Sequence, residues 1–206
     1  MTDFYCTIAG FAEAEIVEKK SRFIGQLTHV ETEEEALAFL EEIRAKHRMA
    51  RHNVYAYVLR GGRVRYSDDG EPGGTSGMPT LETLQHAGLQ DVAIVTTRYF
   101  GGVLLGTGGL VRAYTAAAQA AIDAAQVVVI SRCVDITVEV PYPLYEAVTR
   151  LAADMEARVM ESDFGADVLL TLRMLAGTEE PLLERLSEVT RGQAQPLVSE
   201  PFDAAF

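Results

Sequence analysis

The chain has 206 residues, 48% of them hydrophobic and 23% charged, with a formal net charge of −12, a balance that excludes intrinsic disorder and suits one large or two small globular domains. No apolar run approaches the roughly 18–20 residues needed to cross a bilayer, and the opening residues show neither a basic nor an apolar leader segment. Cys6 and Cys133 stand alone, which suits a reducing cytoplasm better than a disulfide framework; a cytoplasmic chain without membrane contact is expected.

The acidity is uneven. Before Cys133 there are 13 basic and 16 acidic residues; from Cys133 onward there are 5 and 14. Nucleic acid is repelled by such a chain overall, so any RNA contact needs a local patch. One candidate is visible between Ile43 and Ser67, where no Asp or Glu occurs and Arg44, Lys46, Arg48, Arg51, Arg60, Arg63 and Arg65 do.

In chain order, Phe4, Cys6 and Ile8, then Ala14 and Ile16, then Phe23, Gln26 and Val30 read as short strands with turns near Gly10 and Lys20. Thr32 followed by three glutamates opens a helix, and Leu37, Leu40 and Ile43 carry it to about Lys46. The stretch 54–59, a Gly61-Gly62 turn and 64–66 read as a β-hairpin. A Gly/Pro/Ser/Thr loop over 70–79 leads to a helix from about Ser76 to Ala87, capped by Thr75 or Ser76, with Pro79 in its first turn. Residues 92–97 form a buried type of strand, and a second glycine-rich segment feeds an alanine-rich helix from Leu110 to Ala125. Beyond it come a strand over 134–140, a helix over 143–153, strands over 156–162 and 166–175, a helix capped by Thr178 to Pro181 and running to Arg191, and a last strand over 195–198. That order is βαββαβ, the ferredoxin-like pattern, so a boundary is placed near Ser131, giving domains 1–131 and 132–206.

Two strand-to-helix loops could carry chemistry. In the second, Gly106-Thr107-Gly108-Gly109 opens a helix whose free N–H groups and dipole suit a phosphate or carboxylate, with Arg98 at the strand end and Arg112 in the first turn as charged partners. The same glycines also serve tight helix-to-sheet packing against Ala113, Ala116, Ala117, Ala118, Ala120 and Ala121, and both readings stand. In the first loop Asp68, Asp69 and Glu71 form a carboxylate cluster of a kind that holds Mg²⁺, but an Asp-Asp-Gly triplet after a strand favours turn chemistry. The four histidines, His29, His47, His52 and His86, have no zinc spacing, and no nucleophile elbow is present, so neither metal nor catalytic residues are expected. Tyr55 and Tyr57 share one strand face, fit either for base stacking or for burial.

Three segments, Arg51-His52-Asn53-Val54-Tyr55-Ala56-Tyr57, Ser67 through Pro79 and Arg98 through Tyr114, closely resemble the signature of the YigZ/IMPACT family, and Lys20-Ser21-Arg22-Phe23 also looks familial. Two departures are Ser76, where alanine is frequent, and Met49-Ala50 in place of Asp-Ala. The resemblance implies an α+β protein of two domains. The first would have the fold of a ribosomal small-subunit protein's second domain, as in domain IV of elongation factor G, and the second a ferredoxin-like fold similar to domain V of that factor. Family members in eukaryotes restrain a stress-activated kinase of translation initiation by competing for its activator. The resemblance carries over no catalytic residue and no cofactor.

The expected function is a translation-associated binding protein that meets RNA, the ribosome or a translation-linked protein through Arg51, His52, Arg98, Thr107, Gly108, Gly109 and Arg112. The signature loop of Ser67, Asp68, Asp69, Gly70, Glu71, Gly74 and Thr75 would stand beside them. The alternative is a small-molecule phosphate- or nucleotide-binding enzyme, suggested by a likeness of the Gly106–Gly109 helix start to the phosphate loop of mevalonate-type kinases, or a peptidase, a label used for some family members. A further possibility is a protein–protein adaptor whose acidic C-terminal domain faces a basic partner.

Overall fold

The computed structural model describes residues 4–206, which divide into two compact units, one of Tyr5–Val128 and one built on Val129–Phe206. The first unit contains β1 (Phe4–Ile8) to within one residue, β2 (Phe11–Glu18), β3 (Ser21–His29), α1 (Glu33–Lys46), β4 (His52–Val58), β5 (Val64–Ser67), α2 (Gly77–His86), β6 (Val92–Tyr99) and α3 (Thr107–Asp123). The alternating apolar runs expected along the sequence become an antiparallel sheet of order β2-β3-β6-β4-β5. Its centre is β6, fully buried from Val92 to Arg98.

Strand period sorts β6 onto two faces. Val92 and Ile94 pack with Leu27, Ala56, Leu84 and Ala118 in one core cluster, while Ala93 and Val95 pack with Phe39, Leu40, Ile43 and Tyr57 in another. Helix α1 covers the second face. It starts where the sequence predicts because Thr32 Oγ1 accepts from Glu35 N–H (3.2 Å) and the Glu35 carboxylate accepts from Thr32 N–H (3.4 Å), a reciprocal capping box. Ala36, Phe39, Leu40 and Ile43 then recur at helical spacing on its buried side.

Helices α2 and α3 cover the other face. Helix α3 begins at Thr107, three residues before the expected Leu110, with Gly106 at φ +72° as its N-cap. It lies close to the sheet: Ala113, Ala117, Ala118 and Ala121 are buried, and a Cβ on Gly25 of β3 would stand 2.6 Å from the Ala117 carbonyl oxygen. The alanine run and this strand glycine are one device for backbone-to-backbone packing.

In the second unit β7 (Val127–Val140) is followed by α4 (Tyr145–Asp154), β8 (Arg158–Phe164), β9 (Val168–Leu175), α5 (Glu180–Thr190), β10 (Leu197–Val198) and β11 (Phe202–Ala205). The strand order β10-β7-β9-β8 is antiparallel throughout, as the ferredoxin-like βαββαβ order requires. The division between the units falls inside the continuous strand β7. Val134, Ile136, Val138, Val168, Leu170 and Leu172 close the core against Val148 and Leu151 of α4 and Leu182 and Leu186 of α5.

Two local expectations are corrected. Thr178 does not cap α5: its hydroxyl donates back to the Leu175 carbonyl (2.7 Å), and the N-cap position is Glu179. Strand β11, which pairs with β7 after β10, lies beyond the last strand read from the sequence.

Candidate functional site

The signature loop after β5 is built from carboxylates that each hold a different part of the unit together. Asp68 accepts from the N–H groups of Gly74 (2.8 Å), Ser76 (3.1 Å) and Gly77 (2.8 Å), and from the Ser76 hydroxyl (2.7 Å). Burial works against its charge, yet these donors outweigh it and hold the carboxyl below its ordinary range. Ser76 takes the N-cap position of α2, one of the two expected, but its side chain makes no cap bond: Ser76 Oγ donates to Asp68 and Thr75 Oγ1 to the Pro72 carbonyl (2.6 Å), and the Asp68 carboxylate accepts from the first N–H groups instead.

Asp69 sits at φ +44°, followed by Gly70 at φ +84°, with its own N–H on Ser67 Oγ (3.1 Å). Its carboxylate accepts from Asn53 N–H (2.6 Å) and from Arg44 Nη2 (3.1 Å), which ties the loop to β4 and α1. Its carbonyl faces His52 Nδ1 at 2.8 Å. A carbonyl only accepts, so Nδ1 carries the proton.

Glu71 is the deepest of the three. Its Oε1 accepts from Arg98 Nη1 (2.6 Å) and from the Tyr114 hydroxyl (2.8 Å), and the Arg98 and Glu71 side chains are only 7% and 4% exposed. Burial, and then the Glu71 charge, push the Tyr114 phenol far above its ordinary range. The Tyr114 ring packs edge-on against Phe23 at 5.2 Å. Arg98 thus joins β6 to the loop and to α3, but its Nε remains buried without an acceptor. Among the described residues no cluster of three or more His, Cys, Asp or Glu is arranged to hold a metal.

Arg98 and Arg112 line different clefts. Arg112, whose Nη1 lies 3.6 Å from where a Cβ on Gly108 would be, is exposed beside the first turn of α3. With Lys19 and Gly109 it borders a cavity of about 230 Å³. Thr107 and Gly108 are exposed at the helix start, whereas Gly109 is half-buried because a Cβ there would meet the Leu105 side chain at 2.9 Å. Lys19 and Lys20 occupy the β2–β3 turn at φ +46° and +67°, left-handed geometry that usually takes Asn-Gly. Gly101 packs onto that turn so closely that a Cβ would overlap the Lys20 carbonyl carbon.

Arg98 instead borders a cavity of about 210 Å³ with Arg51, His52, Phe100 and Leu104. Arg51, Phe100 and Leu104 are exposed and His52 is half-buried.

The run that is free of acids in the sequence is not free of them in space. Arg44 pairs with Glu41 and Asp69, Lys46 with Glu13, Arg60 with Asp91, and Arg63 and Arg65 with Glu33. Among the described residues the exposed Arg48, Arg51, Arg112, Lys19 and Lys20 have no carboxylate partner. Tyr57 is 1% exposed and packs in the α1 core, with Tyr55 stacked beside it at 6.5 Å, so burial is the role these tyrosines take.

Sequence reasoning missed a buried polar chain on the α1 side. His47 meets Tyr99 Oη at Nδ1 (2.9 Å) and Gln26 at Nε2 (2.9 Å), the Gln26 amide oriented with its oxygen accepting from Nε2–H. Burial, helped by the Lys46 charge, lowers the His47 pKa. A glutamine in a strand and a histidine at a helix end gave no signal without the strand order.

Residues 19–122 match the Impact N-terminal domain model, and residues 138–193 match a domain of unknown function, DUF1949. The IMPACT family member YigZ of Escherichia coli K12 is 36% identical over 186 residues, covering 88% of this chain and 91% of its own. A Thermus thermophilus IMPACT family member is 40% identical over 178 residues, covering 85% and 96%. A solved structure described as a hypothetical protein is 33% identical with a TM-score of 0.63, covering 97% of this chain and 99% of its own.

Proposed function

This chain belongs to the IMPACT family, and from that premise we propose that it is a translation-associated regulatory protein that binds RNA or the ribosome through the N-terminal unit. The observation that carries the reading is the set of cations left after internal pairing: Arg51 and Arg112, with Lys19, Lys20 and Arg48, are exposed and have no carboxylate partner among the described residues. Such side chains cost little to bring against phosphate, whereas a paired arginine must first give up its partner. Glycines at Gly106 and Gly108 keep the start of α3 open to a backbone phosphate. The acidity after Cys133 leaves the N-terminal unit as the part able to approach an anion.

A binding role also fits the fate of the candidate chemistry. Asp68, Asp69 and Glu71 hold a helix start, a strand and a buried arginine, which are roles in the loop's own structure. The test is RNA and ribosome co-sedimentation across a salt series. Wild-type binding should weaken as salt rises, and Arg51→Glu and Arg112→Glu should each abolish it while the fold is retained. Absence of salt-sensitive binding by the wild type defeats the reading.

A further inference from the structure

Resting on that reading, we propose that the cleft lined by Arg51, His52, Arg98, Phe100 and Leu104 receives one unstacked nucleobase, so that the RNA recognised is single-stranded. The cleft measures about 210 Å³, below the roughly 300 Å³ where pockets for drug-sized ligands begin. It admits one ring system and leaves sugar and phosphate outside.

Its walls match such a ring. Phe100 is 50% exposed and Leu104 83% exposed, large apolar surfaces that solvation disfavours and a flat base would cover. The Arg98 guanidinium carbon already lies 5.7 Å from the Phe100 ring centroid, so the ring has a cation on its flank. Arg51, exposed at the rim and without a carboxylate partner among the described residues, would take the phosphate.

The polar groups suit an unpaired base edge. Because His52 Nδ1–H donates to the Asp69 carbonyl (2.8 Å), Nε2 of the neutral ring is an acceptor, and every unpaired base has an N–H on its pairing edge to give it. The Arg98 side chain is more than nine-tenths buried and held by Glu71 through Nη1, so it forms a fixed wall of the cleft. A duplex keeps every base stacked and its pairing edge occupied.

The test is fluorescence anisotropy with short labelled oligo(A), oligo(C) and oligo(U) and an RNA duplex, using the full chain. Each single strand should bind more tightly than the duplex. Phe100→Ala should weaken the single strands about five- to 100-fold while leaving duplex binding unchanged. Leu104→Ser should act in the same direction; both side chains are exposed, and circular dichroism checks that the fold survives. Equal binding of single strands and duplex, or indifference to Phe100→Ala, overturns this inference and leaves the RNA reading standing. No binding to any RNA overturns both. A peptide with an aromatic residue and free carboxylate at its end, bound by wild type and lost in Phe100→Ala in preference to every oligonucleotide, also overturns it.

Discussion

Truncating Glu71 to alanine strands a buried charge. The Arg98 and Glu71 side chains are 7% and 4% exposed and meet at 2.6 Å, and Arg98 Nε already lacks a partner. With Glu71 gone, the guanidinium must be desolvated without a counter-charge, and Tyr114 loses its acceptor. Breaking one side of such a pair costs about 3–5 kcal/mol, while replacing both members with apolar groups of like volume is near neutral. Glu71→Ala should therefore destabilise the N-terminal unit by about 3–5 kcal/mol, and Glu71→Leu combined with Arg98→Met should recover most of it. Tyr114→Phe, which removes one hydrogen bond to a carboxylate, should cost about 1.5 kcal/mol. The chain has no tryptophan, and two units need not unfold together, so hydrogen exchange of β6 and α3 amides is the direct readout, with circular dichroism in urea as support. A loss below about 1 kcal/mol for Glu71→Ala would mean that water reaches the pair, and the reasoning from burial would be refuted.

Other expectations follow from single contacts. Asp68→Ala removes the acceptor of three N–H groups at the start of α2 and should cost about 1–2 kcal/mol in chemical denaturation. Gly25→Val puts side-chain atoms into the Ala117 carbonyl, 2.6 Å from the Cβ position, and should cost about 1–3 kcal/mol or more by the same measurement. Replacing Lys19-Lys20 by Asn-Gly relieves two left-handed residues and should raise stability by about 1 kcal/mol or more. His47 is held neutral, its folded pKa lying below its unfolded one. The stability it contributes is present above the unfolded value near pH ~6.5 and lost as pH falls through the lower folded value. His47→Gln should flatten that acid limb in a pH series of melting curves.

Much of this architecture is legible in order and little of it in partnership. Thr32 and Glu35 announce α1 because both halves of a capping box lie three residues apart. The βαββαβ order of the second unit is readable for the same reason, since alternation and helical spacing are local signals. What decides the candidate site is the insertion of β6 between β3 and β4, which brings Arg98 opposite His52 and Phe23. Spacing along the chain does not encode that neighbourhood. Glu33 answers Arg63 and Arg65 from 30 and 32 residues away, so an arginine count over one stretch overstates the charge that remains exposed. The signature loop was visible as a motif, but its three carboxylates divide among a helix end, a strand and an arginine that the motif does not contain.

The Glu71–Arg98–Tyr114 contact changes how genetic variation in this family should be interpreted. Two of the three family segments are clamped to each other by it, so their residues are kept together by the need to fold. A null allele at Glu71 or Tyr114 reports a loosened core and lower abundance in the cell. A null allele at Arg51 or Phe100, exposed at a rim, should leave abundance normal if the proposed RNA contact is what it removes. Protein level measured beside phenotype separates the two classes, and only the second class maps a binding surface.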